Sequence, residues 1–261
     1  MTIATTSSRA RQSLVQHAPS LALSLAGTAV VLLALGPLGW RAGWWHYRFG
    51  LLTLMPWAAY FGVAALVVSA VTISLGRSRV GARGIVVAVG AFAVGALIAY
   101  VPWHYNAMRQ TVPPVNDITT DSENPPTYAA VMSLRAAEGA NPVTYQGPKF
   151  ADQQKRAYPD IAPMILELPP AAAFARALAA AQQMGWTIVA ADQAAGRIEA
   201  SARSRWYGFT DDIVVRVTGL RPGSRIDVRS SARQGRSDFG VNAARVRAYL
   251  SSLREAAGGE G

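Results

Sequence analysis

The chain contains no cysteine, and this alone excludes disulfides, thiolate-bound zinc, iron–sulfur clusters and thiol nucleophiles. Histidine is nearly as scarce. His17, His46 and His104 all precede residue 117, so the second half has neither imidazole nor thiol, and Ser-His-Asp, Cys-His and His-metal designs are removed from it. No Gly-x-Ser-x-Gly, Walker or dinucleotide-binding fingerprint stands in their place. The third absence is acidic. Residues 1–116 hold eight arginines and no Asp or Glu, whereas residues 117–261 hold the other 17 basic residues and all 15 acids, so the net charge of +10 divides into +8 and +2. Arginines flanking acid-free apolar runs are orienting charges of a membrane protein, and no nucleic-acid partner is expected.

Three such runs follow one another. Residues 1–19 are Ser/Thr-rich, carry Arg9 and Arg11 and lack apolar periodicity, which reads as a mobile cytoplasmic tail. Leu21 to Leu38 is longer than a signal-peptide core and has no small-x-small cleavage site before Trp40, so it reads as a span. Leu51 to Leu75 and Ile85 to Val101 are uncharged over 25 and 17 positions, against the roughly 20 residues that cross a hydrocarbon core. The expectation is three transmembrane helices within residues 20–105, at about 21–38, 51–75 and 85–101. Ala91, Gly95 and Ala99 recur every fourth residue of the third, which is either a close-packing stripe or the composition of an Ala/Gly-rich helix.

Loop charge orients the spans. Arg9, Arg11, Arg77, Arg79 and Arg83 fall on one side and Arg41, Arg48 and Arg109 on the other, which places the N-terminus in the cytoplasm. Three spans then export the C-terminal domain. The expected location is a bacterial inner membrane, multi-pass, with the lipid bilayer as first partner and the domain in the periplasm. Trp45-His46-Tyr47 and Trp103-His104-Tyr105 fall on the same membrane face. They read as an interfacial aromatic belt; the alternative is a paired-imidazole site at His46 and His104 for haem, a metal ion or a quinone. No cofactor is expected.

Residues 106–160 are rich in proline, from Pro113-Pro114 to Pro159, which excludes long helices apart from Thr127 to Glu138. Tyr128, Tyr145, Phe150 and Tyr158 mark this segment as a strap packed on the domain that follows rather than a free linker. Beyond it, Met164 to Leu168 alternates as a strand, and Pro169-Pro170 open a helix that Gly185 stops. Four strands follow, at Trp186 to Ala191, Arg197 to Ala202, Asp212 to Val217 and Arg225 to Ser230. A helix over about Asn242 to Leu253, started by Ser237 or Asp238, is the last element. The expected fold class is a membrane α-helical region plus an α+β domain, an antiparallel sheet of about five strands with two helices on one face, ordered β-α-β-β-β-β-α. Its charged face, with Arg197, Glu199, Arg216, Arg225, Asp227 and Arg229, is expected to look outward, and residues 254–261 to form a flexible tail.

Several separated motifs occur in order: Asn116-Asp117-Ile118-Thr119-Thr120-Asp121 with Pro125-Pro126, Tyr158-Pro159-Asp160-Ile161, and Gly185-Trp186. Gly208-Phe209-Thr210-Asp211-Asp212 and Asp227-Val228-Arg229-Ser230 follow, then Ser237-Asp238-Phe239-Gly240-Val241-Asn242-Ala243. Over residues 115–253 the chain resembles the DUF1499 family, bacterial and plastid proteins of unassigned function. The resemblance implies a shared fold and an envelope or membrane-associated setting, and it carries no catalytic assignment.

Two sets of residues remain as site candidates. Asp160, Asp211, Asp212 and Asp238 offer a general acid/base pair or a hard-cation site for a carboxylate- or metal-dependent hydrolase, against the reading that each caps a turn or pairs with arginine. Asp211 and Asp212 are adjacent, and on a strand they point to opposite faces. Arg203, Arg205, Trp206, Tyr207, Arg229, Arg233 and Arg236 mix basic and aromatic groups in two stretches that a sheet brings together, a surface suited to anionic lipid, an envelope polymer or an envelope protein. The expected function is a membrane-anchored, non-enzymatic binding or scaffolding module.

Overall fold

A computed structural model describes residues 3–75 and 78–258. Arg77, the end of the expected C-terminal tail, and the side chains of Arg9, Arg11 and Arg109 lie outside the described residues. The chain divides into two compact units, residues 1–107 and 108–261.

The first unit holds three helices long and apolar enough to cross a membrane, within Val15–Arg41, Tyr47–Ser74 and Gly81–Met108. Helix α1, Ile3–Arg41, begins inside the segment expected as a tail. The short α2, Tyr47–Phe49, continues through a π-helical Gly50–Leu54 into α3, Met55–Leu75, and α4 is Gly81–Thr111. Lipid tails supply no hydrophobic drive between such helices, so they associate by close packing. Small residues make the contacts here: Ala22, Ala26, Ala65 and Ala91 form one cluster, and Ala29, Ala58 and Ile98 another. At Gly95 an added Cβ would stand 2.6 Å from the Gly62 carbonyl oxygen and 3.0 Å from the Leu66 nitrogen. Ala91 and Gly95 of the four-residue stripe are thus packed into the bundle, while Leu52, Val86 and Leu97 point outward.

The second unit is a sheet of six antiparallel strands: β1 Asp117–Thr119, β2 Met164–Leu166, β3 Thr187–Asp192, β4 Arg197–Arg203, β5 Thr210–Gly219 and β6 Ser224–Ala232. The order is β1-β6-β5-β4-β3, with β2 also paired to β6. One strand more than expected is present because β1 lies inside the strap. Its three residues are too few for a period-2 signal, and it exists through pairing with Ser231 to Arg229 of β6. The Gln154 side chain completes it, accepting from the Thr119 N–H and donating to the Thr119 carbonyl, as a neighbouring strand would.

On one face lie α7, Pro170–Gln183, and α8, Val241–Gly258. Alternation along β4, β5 and β6 turns Ile198, Ala200, Ile213, Val215, Val217, Ile226 and Val228 into this core, as their spacing predicts. Alanines 173, 177, 180 and 181 let α7 approach closely, and Tyr249 of α8 donates to the Ala177 carbonyl at 2.8 Å while stacking on Trp186 at 4.9 Å. Gly223 sits at φ +93° in the β5–β6 turn, where a Cβ would strike the Leu166 carbonyl at 2.4 Å.

The opposite face corrects the sequence expectation. It does not look outward, because the strap from Asp121 to Gly147, including α5, Val131–Ala137, crosses it. Glu199 and Asp227 are fully buried there and Arg229 is 2% exposed, while Arg216 and Arg225 are half-buried. Tyr128 and Val131 of the strap pack on Val214. The other strap helix, α6, Pro148–Ala157, buries Phe150 in the core of the α7 and α8 face.

Candidate functional site

An ion-pair layer fills the space between sheet and strap. Arg229 grips Asp117 with both ends of its guanidinium, at 2.9 and 2.6 Å, donates to the Pro126 and Val143 carbonyls, and lies over the Tyr128 and Tyr145 rings at 5.0 and 5.5 Å. Asp212, fully buried, accepts from Arg135, from both ends of Arg233 and from the Ser201 hydroxyl. Arg233 continues to Glu138 at 2.6 Å. Glu199 accepts the N–H groups of Ala129, Ala130 and Val131, which open α5, and pairs with Arg197. Arg216 and Arg225 share Asp121 and Asp227. Among the described residues the layer pairs six acids with six arginines, so their charges balance. Burying so many charges is tolerable only because each finds a partner.

The carboxylate set is dispersed within this arrangement. Asp211 and Asp212 point to opposite faces, Asp211 to Arg245 of α8 at 2.6 Å and Asp212 into the strap layer. Asp238 accepts from the Gly240 and Asn242 N–H groups at 2.9 and 2.7 Å and caps the start of α8. Asp160 makes a two-pronged pair with Arg247 at the surface. Burial pushes the Asp211 carboxyl up from the ordinary range, with the neighbouring Asp212 charge adding and Arg245 opposing. Burial does the same at Asp238, opposed by the two backbone donors. The Arg247 hydrogen bond draws Asp160 down. Among the described residues no group of three His, Cys, Asp or Glu side chains converges as a metal site.

The basic and aromatic set divides. Arg229 and Arg233 are buried in the ion layer and Tyr207 is buried beneath the β4–β5 turn, so three of its seven members are corrected from surface to interior. Arg203, Arg205, Trp206 and Arg236 stay exposed, Trp206 by 55%. The turn that carries most of them is rigid. Ser204 N–H donates to the Phe209 carbonyl, Gly208 N–H to the Ser204 carbonyl, Phe209 N–H to the Ser204 hydroxyl and Arg203 Nε to the Gly208 carbonyl, at 2.8 to 3.0 Å. Tyr207 stacks on Phe209 at 5.0 Å, and burial pushes its phenol up to about 12. Arg236 reaches the same end of the sheet because the β6 exit is tied to β5, with Arg233 N–H on the Thr210 carbonyl at 3.0 Å and Thr210 N–H on Gln234 Oε1 at 3.3 Å.

The paired histidines are each held locally. His46 Nδ1 accepts the Arg48 N–H at the start of α2, and His104 stacks on Tyr100 with its Nδ1 3.3 Å from the hydroxyl. Sequence reasoning missed Arg135, Glu138 and Gln154, the strap residues that meet the sheet. For Arg135 and Glu138 the one signal was the helix-compatible stretch Thr127 to Glu138, which does not say which face it buries; Gln154, on α6, had none.

These features define a class: a six-stranded antiparallel α+β domain with a polar, strap-covered second face, following three apolar helices. The chain belongs to the DUF1499 family, whose model, described as a protein of unknown function, matches residues 117–253, more than half of the chain. The match opens at the first residue of β1 and closes at Leu253, a buried core residue of α8. No curated protein matches the chain.

Proposed function

We propose that the chain is a membrane-anchored binding or scaffolding module whose α+β domain lies on the periplasmic side of a bacterial inner membrane. The observation that carries this reading is the fate of the reactive groups: Asp160, Asp211 and Asp212 are taken by arginines and Asp238 by backbone donors. Arg203, Arg205, Trp206 and Arg236 meanwhile face solvent on one end of the sheet. Carboxylates committed to arginine and backbone favour a structural over a catalytic role, and a rigid exposed tryptophan among arginines favours recognition. The side of the membrane is supported by the arginines at this end of the spans, Arg79 between α3 and α4 and Arg83 in the first turn of α4 among them.

The test has two parts. Alkaline phosphatase fused after residue 261 is active and a fluorescent protein at the same place is dark; the reverse pattern removes the periplasmic assignment. A photocrosslinking residue in place of Trp206 yields specific lipid or protein adducts in native membranes, whereas one in place of Thr218, exposed at the other end of β5, does not. Equal adducts from both positions remove the binding surface.

A further inference from the structure

Resting on that reading, we infer that the β4–β5 turn is a membrane-docking element, with Trp206 seated in the headgroup layer and Arg203, Arg205 and Arg236 on the phosphates of anionic lipid. Three observations converge on this partner. The surface is electropositive: no acid occurs between Arg203 and Thr210 or between Ala232 and Ser237. Asp211 is engaged by Arg245, Asp212 by Arg135 and Arg233, Glu138 by Arg233, and Asp238, two residues after Arg236, by the Gly240 and Asn242 N–H groups. Guanidinium forks match phosphate oxygens, and an indole prefers the interface between hydrocarbon and water.

Preorganisation is the second observation. Four hydrogen bonds and the stack of buried Tyr207 on Phe209 hold the turn, so presenting Trp206 costs little ordering entropy on docking. The third is covalent. Only residues 112–116 link the end of α4 to β1, at most about 18 Å of extended chain. They enter the sheet beside the β6 exit, where Asn116 Nδ2 donates to the Gly235 carbonyl at 2.7 Å. Register carries the same level across the sheet: Asp117 faces Ser231, Ser231 faces Asp212 and Asp212 faces Ser201, two residues before Arg203. The Trp206 turn therefore projects from the end of the sheet at which the chain arrives from its last apolar helix.

The experiment uses the full chain in nanodiscs carrying headgroup-proximal brominated lipid, and reads Trp206 as the fluorescence difference between wild type and Trp206→Phe. Trp206 is quenched in discs containing phosphatidylglycerol and unquenched in discs of phosphatidylcholine alone. Each arginine at an anionic surface biases docking about fivefold. Reversing two with Arg205→Glu and Arg236→Glu changes the charge by four units and thus lowers the docking equilibrium about 600-fold, which abolishes the quenching. Arg221→Glu, in the exposed β5–β6 turn, leaves it intact, and circular dichroism checks that each variant is folded. Quenching that is absent from both disc types overturns the docking, and quenching equal in both overturns the anionic-lipid assignment. The photocrosslinking of position 206 in native membranes stays independent of either result, since an envelope polymer or protein would still be captured there.

Discussion

Replacing Arg229 with alanine is the sharpest test of the idea that the second sheet face is a sealed ionic layer rather than a surface. The guanidinium is 2% exposed, and its removal strands the Asp117 carboxylate, itself 3% exposed, along with the Pro126 and Val143 carbonyls. It also leaves a void between the Tyr128 and Tyr145 rings. Breaking a buried pair by deleting one partner costs about 3–5 kcal/mol. At about 1.4 kcal/mol per decade that is a rise of roughly 100- to 4,000-fold in amide exchange of the core strands. Hydrogen exchange with mass spectrometry on the detergent-solubilised full chain, following peptides within residues 210–232, reads this directly. Asp117→Leu combined with Arg229→Met returns most of the loss, because an apolar pair of similar volume replaces charges that had to be desolvated. Arg229→Ala exchanging within about threefold of wild type would refute the reasoning. So would a double variant no better than the single one.

Three further outcomes follow from the same geometry. Glu199→Gln retains only one acceptor for the three N–H groups at the start of α5 and weakens the Arg197 pair, so exchange in residues 127–137 rises about tenfold while β5 and β6 change less. Gly95→Leu drives a side chain into the Gly62 carbonyl and the Leu66 nitrogen, and proximity labels on α3 and α4 then separate in detergent. Asp238 holds its proton more tightly folded than unfolded, because burial raises it above the ordinary value of about 3.9. Its contribution therefore declines as pH rises through the interval from that value to the folded one, and relative to wild type Asp238→Asn gains stability across that window, visible in unfolding midpoints. A difference that is flat or opposite in sign contradicts the assignment.

Legibility differed between the two faces of the sheet for a physical reason. The face under α7 and α8 was readable because burial in an apolar core demands apolar residues at every second position, and Ile198, Ile213, Val215, Val217, Ile226 and Val228 obey that demand. The second face alternates just as well, but Glu199, Arg216, Asp227 and Arg229 carry the same letters whether they meet water or a covering strap. What decides between these is the partner, and Asp117, Arg135 and Val143 lie far away in sequence. The expected basic and aromatic set is divided for the same reason: Arg229 and Arg233 look like surface residues until Asp117, Asp212 and Glu138 are brought to them. Tyr207 differs from Trp206 by one position, and only the turn's hydrogen bonds determine which ring is folded under and which is left outside.

The sequence by itself determined three apolar helices free of acidic residues, a family of unknown function over residues 117–253, and a domain without imidazole or thiol. Those properties reside in composition and local period, which survive without a partner. Tertiary structure alone decided that charges on alternate strand positions form a paired layer under the strap, and that the arginines split into a buried group and an exposed turn. Charge is inexpensive in water and costly in a protein interior unless paired, so whether a given arginine is surface or scaffold is settled by the distant acid that folding places beside it.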